Sequence, residues 1–398
     1  MVAPKLRFKE FDGDWSRYKI AEVTEYLVDG THFSPKTTEG EFKYITSKNI
    51  RNDGLDLTNI SYISKDEHEK IYKRCKVQLG DILLTKDGAN TGNCCLNTLD
   101  EEFSLLSSVA VLRGKKDSFN NNFILQILQS DLGQDTIISS MSGQAITRIT
   151  LAKLKDYSFF FPELTEQTQI TSFLSAVDEK ISQLTQKHAL LSQYKQGMMQ
   201  KLFSQQIRFK ADDGSEFGEW EEKELKEVAE INPKAKKLPA NFIYIDLESV
   251  EKGQLLLQKN IELQDAPSRA QRLLAKGDVL FQMVRPYQQN NYYFNLSGEY
   301  VASTGYAQIR TKLDSKFIYY ALHEKTFLDE VMNRCTGTSY PAINSSDLSS
   351  IEIFVPCLEE QTKIANFLSA IDQKIEVVAQ QIEQAKTWKK GLLQQMFV

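Results

Sequence analysis

One long stretch occurs twice in this chain, and it limits the available folds more than any other feature. Residues 162–204 read PELTEQTQITSFLSAVDEKISQLTQKHALLSQYKQGMMQKLFS, and residues 356–398 read PCLEEQTKIANFLSAIDQKIEVVAQQIEQAKTWKKGLLQQMFV. The copies align without a gap, each position of the second lying 194 residues after its counterpart. Both carry Glu-Gln-Thr, then Phe-Leu-Ser-Ala, Asp-x-Lys-Ile and Lys-x-Gly. Self-similarity at a fixed offset means a duplicated unit, and the rest of the chain has to be read around it.

Each copy predicts a helix with a coiled-coil seam. Counting in sevens from Ile170 gives Ile170, Val177, Leu184, Leu191 and Met198; four residues on lie Leu174, Ile181, His188, Lys195 and Leu202. The second copy gives Ile364, Ile371, Val378, Ala385 and Leu392, then Leu368, Ile375, Ile382, Lys389 and Met396. The first set is apolar throughout in both copies, the pattern of an a/d heptad. Pro162 and Pro356 stand just before it, where proline is tolerated. About 40 residues at 1.5 Å each predict a rod of roughly 60 Å. The two helices are expected to pack on one another across a pseudo-twofold axis. His188, matched by Ile382, reads as a packing feature of the seam. Lys195 and Lys389 either end the tight seam or meet a partner's carboxylates.

The repeat is larger than the helix. Leu6-Arg-Phe-Lys9 with Trp15 and Val23 is echoed by Ile207-Arg-Phe-Lys210 with Trp220 and Val228. Gly80-Asp-Ile-Leu-Leu84 and Gly277-Asp-Val-Leu-Phe281 each predict a turn into a buried strand. Ser107–Arg113 and Gly305–Arg310 predict a further matched strand, and Phe123–Leu128 and Phe317–Leu322 a helix in each half. Tyr157–Phe161 and Ile351–Val355 close each segment as strands. After each Gly-Asp strand comes a polar loop, Thr85–Asn93 or Gln282–Asn291, and these loops do not match. A matched scaffold with divergent loops is what two copies of a binding module show when they read different targets. The boundaries expected are 1–161, 162–205, 206–355 and 356–398: segment, helix, segment, helix.

At 398 residues, with 41% apolar and 25% charged residues, the chain suits two or three globular domains. The net charge of −5 advertises no polyanion ligand, though local patches outweigh the sum. Five cysteines with no C-x-x-C spacing predict reduced thiols and a cytoplasmic protein. No signal core and no run of 18 apolar residues is found, so no membrane is expected. Neither Gly-x-Gly-x-x-Gly, nor a P-loop, nor an Asn-Pro-Pro-aromatic motif, nor a Gly-x-Ser-x-Gly elbow occurs. The histidines His32, His68, His188 and His323 lack metal-ligand spacing, so neither a metal nor a catalytic centre is expected. Glu221-x-Lys223, half of a nuclease-like pattern, is expected in a charged helix start as a solvated face.

This layout resembles the specificity subunit of Type I restriction–modification systems over essentially the whole chain. The repeated Pro-…-Glu-Gln-Thr-…-Phe-Leu-Ser-Ala-[Val/Ile]-Asp-x-Lys-Ile helices carry the resemblance. So do the Gly-Asp-[Ile/Val]-Leu strands, the Asp29-Gly-Thr-His32 loop and Phe217–Leu225. It implies an α+β chain: two α/β target recognition domains in an internal pseudo-twofold repeat, separated by an antiparallel pair of long coiled-coil helices. It further implies a non-catalytic subunit that reads a bipartite site in double-stranded DNA, one half-site per domain with a fixed spacer. Two methyltransferase subunits and restriction subunits are the implied partners, with S-adenosylmethionine, ATP and Mg in those partners and no cofactor in this chain. The second half departs from the pattern: Ile231-Asn-Pro-Lys234 stands where the first has Asp-Gly-Thr-His.

Reading DNA takes cations for phosphates and amides or guanidinium groups for base edges. In the first half the candidates are Thr31, His32, Lys36, Lys86, Asn90, Asn93, Gln144, Thr147 and Arg148. In the second they are Lys234, Lys236, Lys237, Gln282, Arg285, Tyr287, Gln288, Gln289, Asn290, Asn291, Thr338, Ser339 and Tyr340. The Arg285–Asn291 cluster is the richest, with one guanidinium, four amides and an aromatic ring. The alternative reading is a coiled-coil adaptor presenting two protein- or glycan-binding modules without nucleic acid.

Overall fold

In a computed structural model that describes residues 3–37, 39–141, 147–234 and 237–397, the duplicated stretches are single helices, Leu164–Phe203 and Leu358–Met396. The chain forms two compact units, Met1–Thr185 with Gln380–Val398, and Gln186–Ala379. Each unit therefore contains part of both long helices, and in each the two parts run antiparallel. In the first, Ile170, Leu174 and Val177 share a core with Leu392 and Met396. In the second, Leu202 shares one with Ile364, Leu368 and Ile371.

The seam lysines find their partners within the chain. Lys389 Nζ lies 2.6 Å from Asp178 Oδ1 in the first unit, and Lys195 Nζ lies 2.6 Å from Asp372 Oδ1 in the second. The carboxylate belongs to the repeated Asp-x-Lys-Ile and the ammonium to the repeated Lys-x-Gly, so one motif answers the other. Being partly exposed, each pair contributes about 0.5 kcal/mol and fixes register more than stability.

The Glu-Gln-Thr motif ties each helix to its segment. Glu166, 2% exposed, accepts from Arg7 Nε and Nη2, both at 2.7 Å, and from Trp15 Nε1 at 3.3 Å. Glu360 repeats this with Arg208 Nε at 3.1 Å, Arg208 Nη2 at 2.7 Å and Trp220 Nε1 at 3.1 Å. Gln167 accepts from the backbone N–H of Asn120 and donates to the carbonyls of Pro162 and Ser118. Gln361 accepts from the N–H of Asp314 and donates to the carbonyl of Pro356. The buried glutamate and glutamine of each motif are thereby hydrogen-bonded.

Each segment holds an antiparallel four-stranded sheet. In the first unit its order is Thr24–Asp29, Val109–Gly114, Ile82–Thr85, Cys94–Leu96; in the second it is Ala229–Ile231, Tyr306–Thr311, Val279–Gln282, Tyr292–Tyr293. The Gly-Asp motif is explained by this sheet. Gly80 and Gly277 turn with φ of 83° and 94°, values glycine adopts freely. Asp81 and Asp278, each 1% exposed, receive the forks of Arg113 and Arg310 from the neighbouring strand at 2.7–2.8 Å. The apolar residues that follow fill the core.

The second sheets differ. The first unit has Ser61–Ile63, Phe42–Ile45 and Ser104–Leu105, followed in sequence from Ile63 by a helix, Lys65–Tyr72. The second has Lys259–Glu262, Asn241–Ile245, Tyr300–Ser303 and a fourth strand, Ala270–Leu273. Lys-Asp-Glu after Ser64 loads a first helical turn with acid, whereas Pro267 falls between Asp265 and the new strand and rules out a continuous helix.

The helix start expected at Glu221 does not form. Glu221–Glu224 is a strand paired with Glu352–Val355, not a helix start. Local charge suggested a solvated helix, but edge pairing with a distant segment decides the conformation. Lys223 pairs with Glu221 on that strand.

Candidate nucleic-acid interface

In both units the loop leaving the central strand of the four-stranded sheet is fastened to a second loop that precedes the last short helix. In the first unit Asp87 bridges Arg148, with Arg148 Nε 3.1 Å from Asp87 Oδ1. The backbone N–H of Gly88 donates to Thr147 O at 3.0 Å, and the hydroxyls of Thr147 and Thr91 both donate to Gly88 O. In the second unit Val284 bridges Ala342, 197 and 194 residues on from Asp87 and Arg148. The N–H of Arg285 donates to Pro341 O at 2.7 Å, and the Arg285 guanidinium lies over the Tyr340 ring, 4.3 Å from its centre.

The structure thus brings Asn90, Thr147 and Arg148 together in one unit, and Arg285, Tyr287, Gln288 and Tyr340 with neighbouring Thr338 and Ser339 in the other. Arg148, Thr147, Tyr287, Gln288, Thr338, Ser339 and Tyr340 are exposed, and Asn90, Asn93 and Arg285 are half-buried. Asn93 donates to Ile50 O. Gln289 and Asn290 are half-buried as well; the Asn290 oxygen accepts from the N–H of Lys252. His32 and Lys36 stand exposed on the Asp29–Lys36 loop, and Lys234 and Lys237 on the counterpart loop. Gln144 and Lys236 lie outside the described residues.

Four candidates face inward. Lys86 is 1% exposed, with Nζ 2.8 Å from Asp87 Oδ2 and 3.6 Å from buried Asp29, which Arg74 and His32 also approach. Thr31 is buried where its loop crosses Leu105. Gln282 is 2% exposed and donates to Val284 O and Gln288 Oε1 while accepting from the N–H of Asn290. Asn291 is 1% exposed and accepts from the N–H of Gln282. These side chains shape the loops from beneath. A metal cluster of histidines, cysteines or carboxylates is absent among the described residues, and no helix among them is long and apolar enough to cross a membrane.

The family model described as the Type I restriction modification DNA specificity domain matches residues 12–193 and 218–387. The chain belongs to that specificity family. A Methanocaldococcus jannaschii protein, the Type I restriction enzyme MjaVIII specificity subunit, is 26% identical over 412 aligned positions, covering 97% of this chain and 94% of the relative. The putative MjaX specificity subunit of the same organism is 26% identical over 98% of this chain and 94% of its own length. In fold, the chain is similar to a Type I restriction–modification S subunit from M. genitalium, with a TM-score of 0.63 at 17% identity over 100% and 99% of the two chains. A chain from the type I R-M system solved for its complex assembly and conformational transition gives 0.56 at 18% identity over 95% and 96%.

Three features of this specificity chain have little or no signal in the sequence. Arg74 closes the Asp29 cluster from a helical turn that carried no loop signal. Phe33, beside His32, is 79% exposed, and only its place in a turn-rich loop hints at it. His323 sits under the second unit's loop. Its Nδ1–H donates to Tyr319 O at 2.7 Å and its Nε2 accepts from Asn291 at 3.4 Å, an arrangement that needs a neutral ring. Burial, reinforced by the Lys195 charge, pushes its pKa from 6.5 down to about 4. The unfolded chain then takes up the proton first as pH falls. The second unit is expected to hold its full stability above pH 6.5 and to lose up to about 3 kcal/mol on the way to pH 4. Urea midpoints followed by fluorescence of Trp220, the one tryptophan of that unit, check this; a flat profile over that window refutes it.

Proposed function

We propose that the chain is a DNA-sequence-specificity subunit in which each unit reads one half of a split double-stranded site through its fastened loop pair. Residues 1–161 and 206–355 act as the two recognition domains, and helices 162–205 and 356–398 set the spacer between half-sites. The chain contributes no catalytic group. Methyltransferase subunits, two in number, and restriction subunits dock on it in the cytoplasm and bring S-adenosylmethionine, ATP and Mg.

One observation carries the reading. The same two loops are fastened at matched positions in both units, yet their residues differ, Asp87 and Arg148 against Val284 and Ala342. A common frame with exchanged surface chemistry suits two readers of different sequences. Exposed amides, cations and aromatic rings at those loops suit base edges and phosphates.

Methylation-sensitive sequencing of DNA from cells carrying this chain with its methyltransferase tests it. The expected result is two short defined sequences separated by a constant unspecified gap. A continuous motif, or no motif dependent on this chain, would refute the reading.

A further inference from the structure

The loop after strand Val279–Gln282 holds two residues in backbone conformations that their type disfavours. Arg285 and Gln289 have φ of 54° and 51°, in the left-handed region where a Cβ is crowded. The matched positions of the first unit, each 197 residues earlier, are Gly88 and Gly92, both with φ of 103°. The first unit meets the demand of the turn with glycine, which is unstrained there. The second meets it with an arginine and a glutamine. A side chain placed against backbone preference points to a use other than stability.

The surroundings of Arg285 say what that use is. Its guanidinium carbon lies over Tyr340, 4.3 Å from the ring centre, and Tyr340 is 64% exposed, so the pair faces solvent. Among the described residues no carboxylate pairs with Arg285. In the first unit the one arginine of the loop pair, Arg148, is already matched by Asp87 at 3.1 Å. Arg285 therefore presents unmatched donors beside the Tyr340 ring, and a planar fork of donors fits the O6 and N7 acceptors of guanine.

We propose that Tyr340 is a positioning residue that aims Arg285 at a guanine, so that the half-site read by the second unit contains a guanine selected by this pair. The proposal rests on the reading of each unit as a half-site reader. The ring face does the aiming, and the tyrosine hydroxyl has no part in it.

Methylation-sensitive sequencing with the complete system and single variants tests it. Arg285→Ala and Arg285→Gly are each expected to lower the preference for guanine about tenfold or more at one position of one half-site, with the other half-site unchanged. Tyr340→Ala loosens the same position by a smaller factor, and Tyr340→Phe restores it because the stacking face is kept. Arg285→Gly is expected to melt at or above the parent temperature, since glycine suits the left-handed turn. Both arginine variants leaving every position unchanged would overturn the proposal. So would a uniform loss of methylation at all positions joined to a lower melting temperature for Arg285→Gly, which would make the residue structural. Absence of any split motif with the parent chain refutes the half-site reading itself and takes this pairing with it.

Discussion

Replacing Glu360 by alanine is expected to cost the second unit about 3–5 kcal/mol, the loss typical when one member of a buried ion pair is removed. Glu360 is fully buried and accepts three hydrogen bonds, two from Arg208 and one from Trp220. Alanine leaves the guanidinium without its counter-charge at a site where its side chain is only 19% exposed, and strands the indole N–H. The loss is large against the 5–15 kcal/mol that stabilises an ordinary domain. Glu360→Gln keeps an acceptor for Trp220 and is expected to lose less. Urea unfolding followed at Trp220 gives the measurement. Glu166→Ala provides the matching experiment in the first unit, where Arg7 and Trp15 occupy the same places. An unchanged midpoint for both alanine variants would show that the motif is not what ties helix to segment.

The second large effect concerns the target. Removing residues 184–190 and 378–384, one heptad from the middle of each helix, is expected to shorten the unspecified gap by about three base pairs, since about 10 Å of helix matches about three steps of 3.4 Å. The sequences of both half-sites are expected to stay as they were. The exposed polar candidates all lie in the segments and not in the helices, and a whole heptad preserves the seam. Both Asp–Lys pairs, at 178 and 389 and at 195 and 372, lie outside the removed residues. Removing four residues instead breaks the seven-residue register and is expected to unfold the pair. Methylome sequencing reads the gap directly; a gap that stays constant in the heptad variant means that the helices do not set it.

The duplicated helices were legible because their signal is local and repeated: apolar residues in sevens, proline before them, and a gapless second copy. The Gly-Asp strands were legible for the same reason. What escaped was set by distant partners. Glu221–Glu224 takes its strand form from pairing with Glu352–Val355, which short-range charge cannot reveal. Lys195 and Lys389 left two readings open until each was found against an aspartate of the other helix. The loops showed their polarity but not its direction. Lys86, Gln282 and Asn291 look like surface chemistry in the sequence, yet each is turned inward to satisfy backbone or carboxylate groups that the turn would otherwise bury unpaired. The difference between Gly88 and Arg285 was on view in the sequence, but only the positive φ at both positions makes it a comparison.

The long helices have one more consequence. The exposed turn at Asp213-Gly214 joins the first half of the chain to the second, and it is the kind of place where a protease cuts. A cut there separates the peptide bond but not the folded parts. The upstream fragment holds Leu202 in the second unit's core, and the downstream fragment holds Leu392, Met396 and Phe397 in the first unit's core. Each fragment thus lends a piece to the other, like two clasped hands. The nicked protein is expected to elute from a sizing column as one species, and to part only under denaturant.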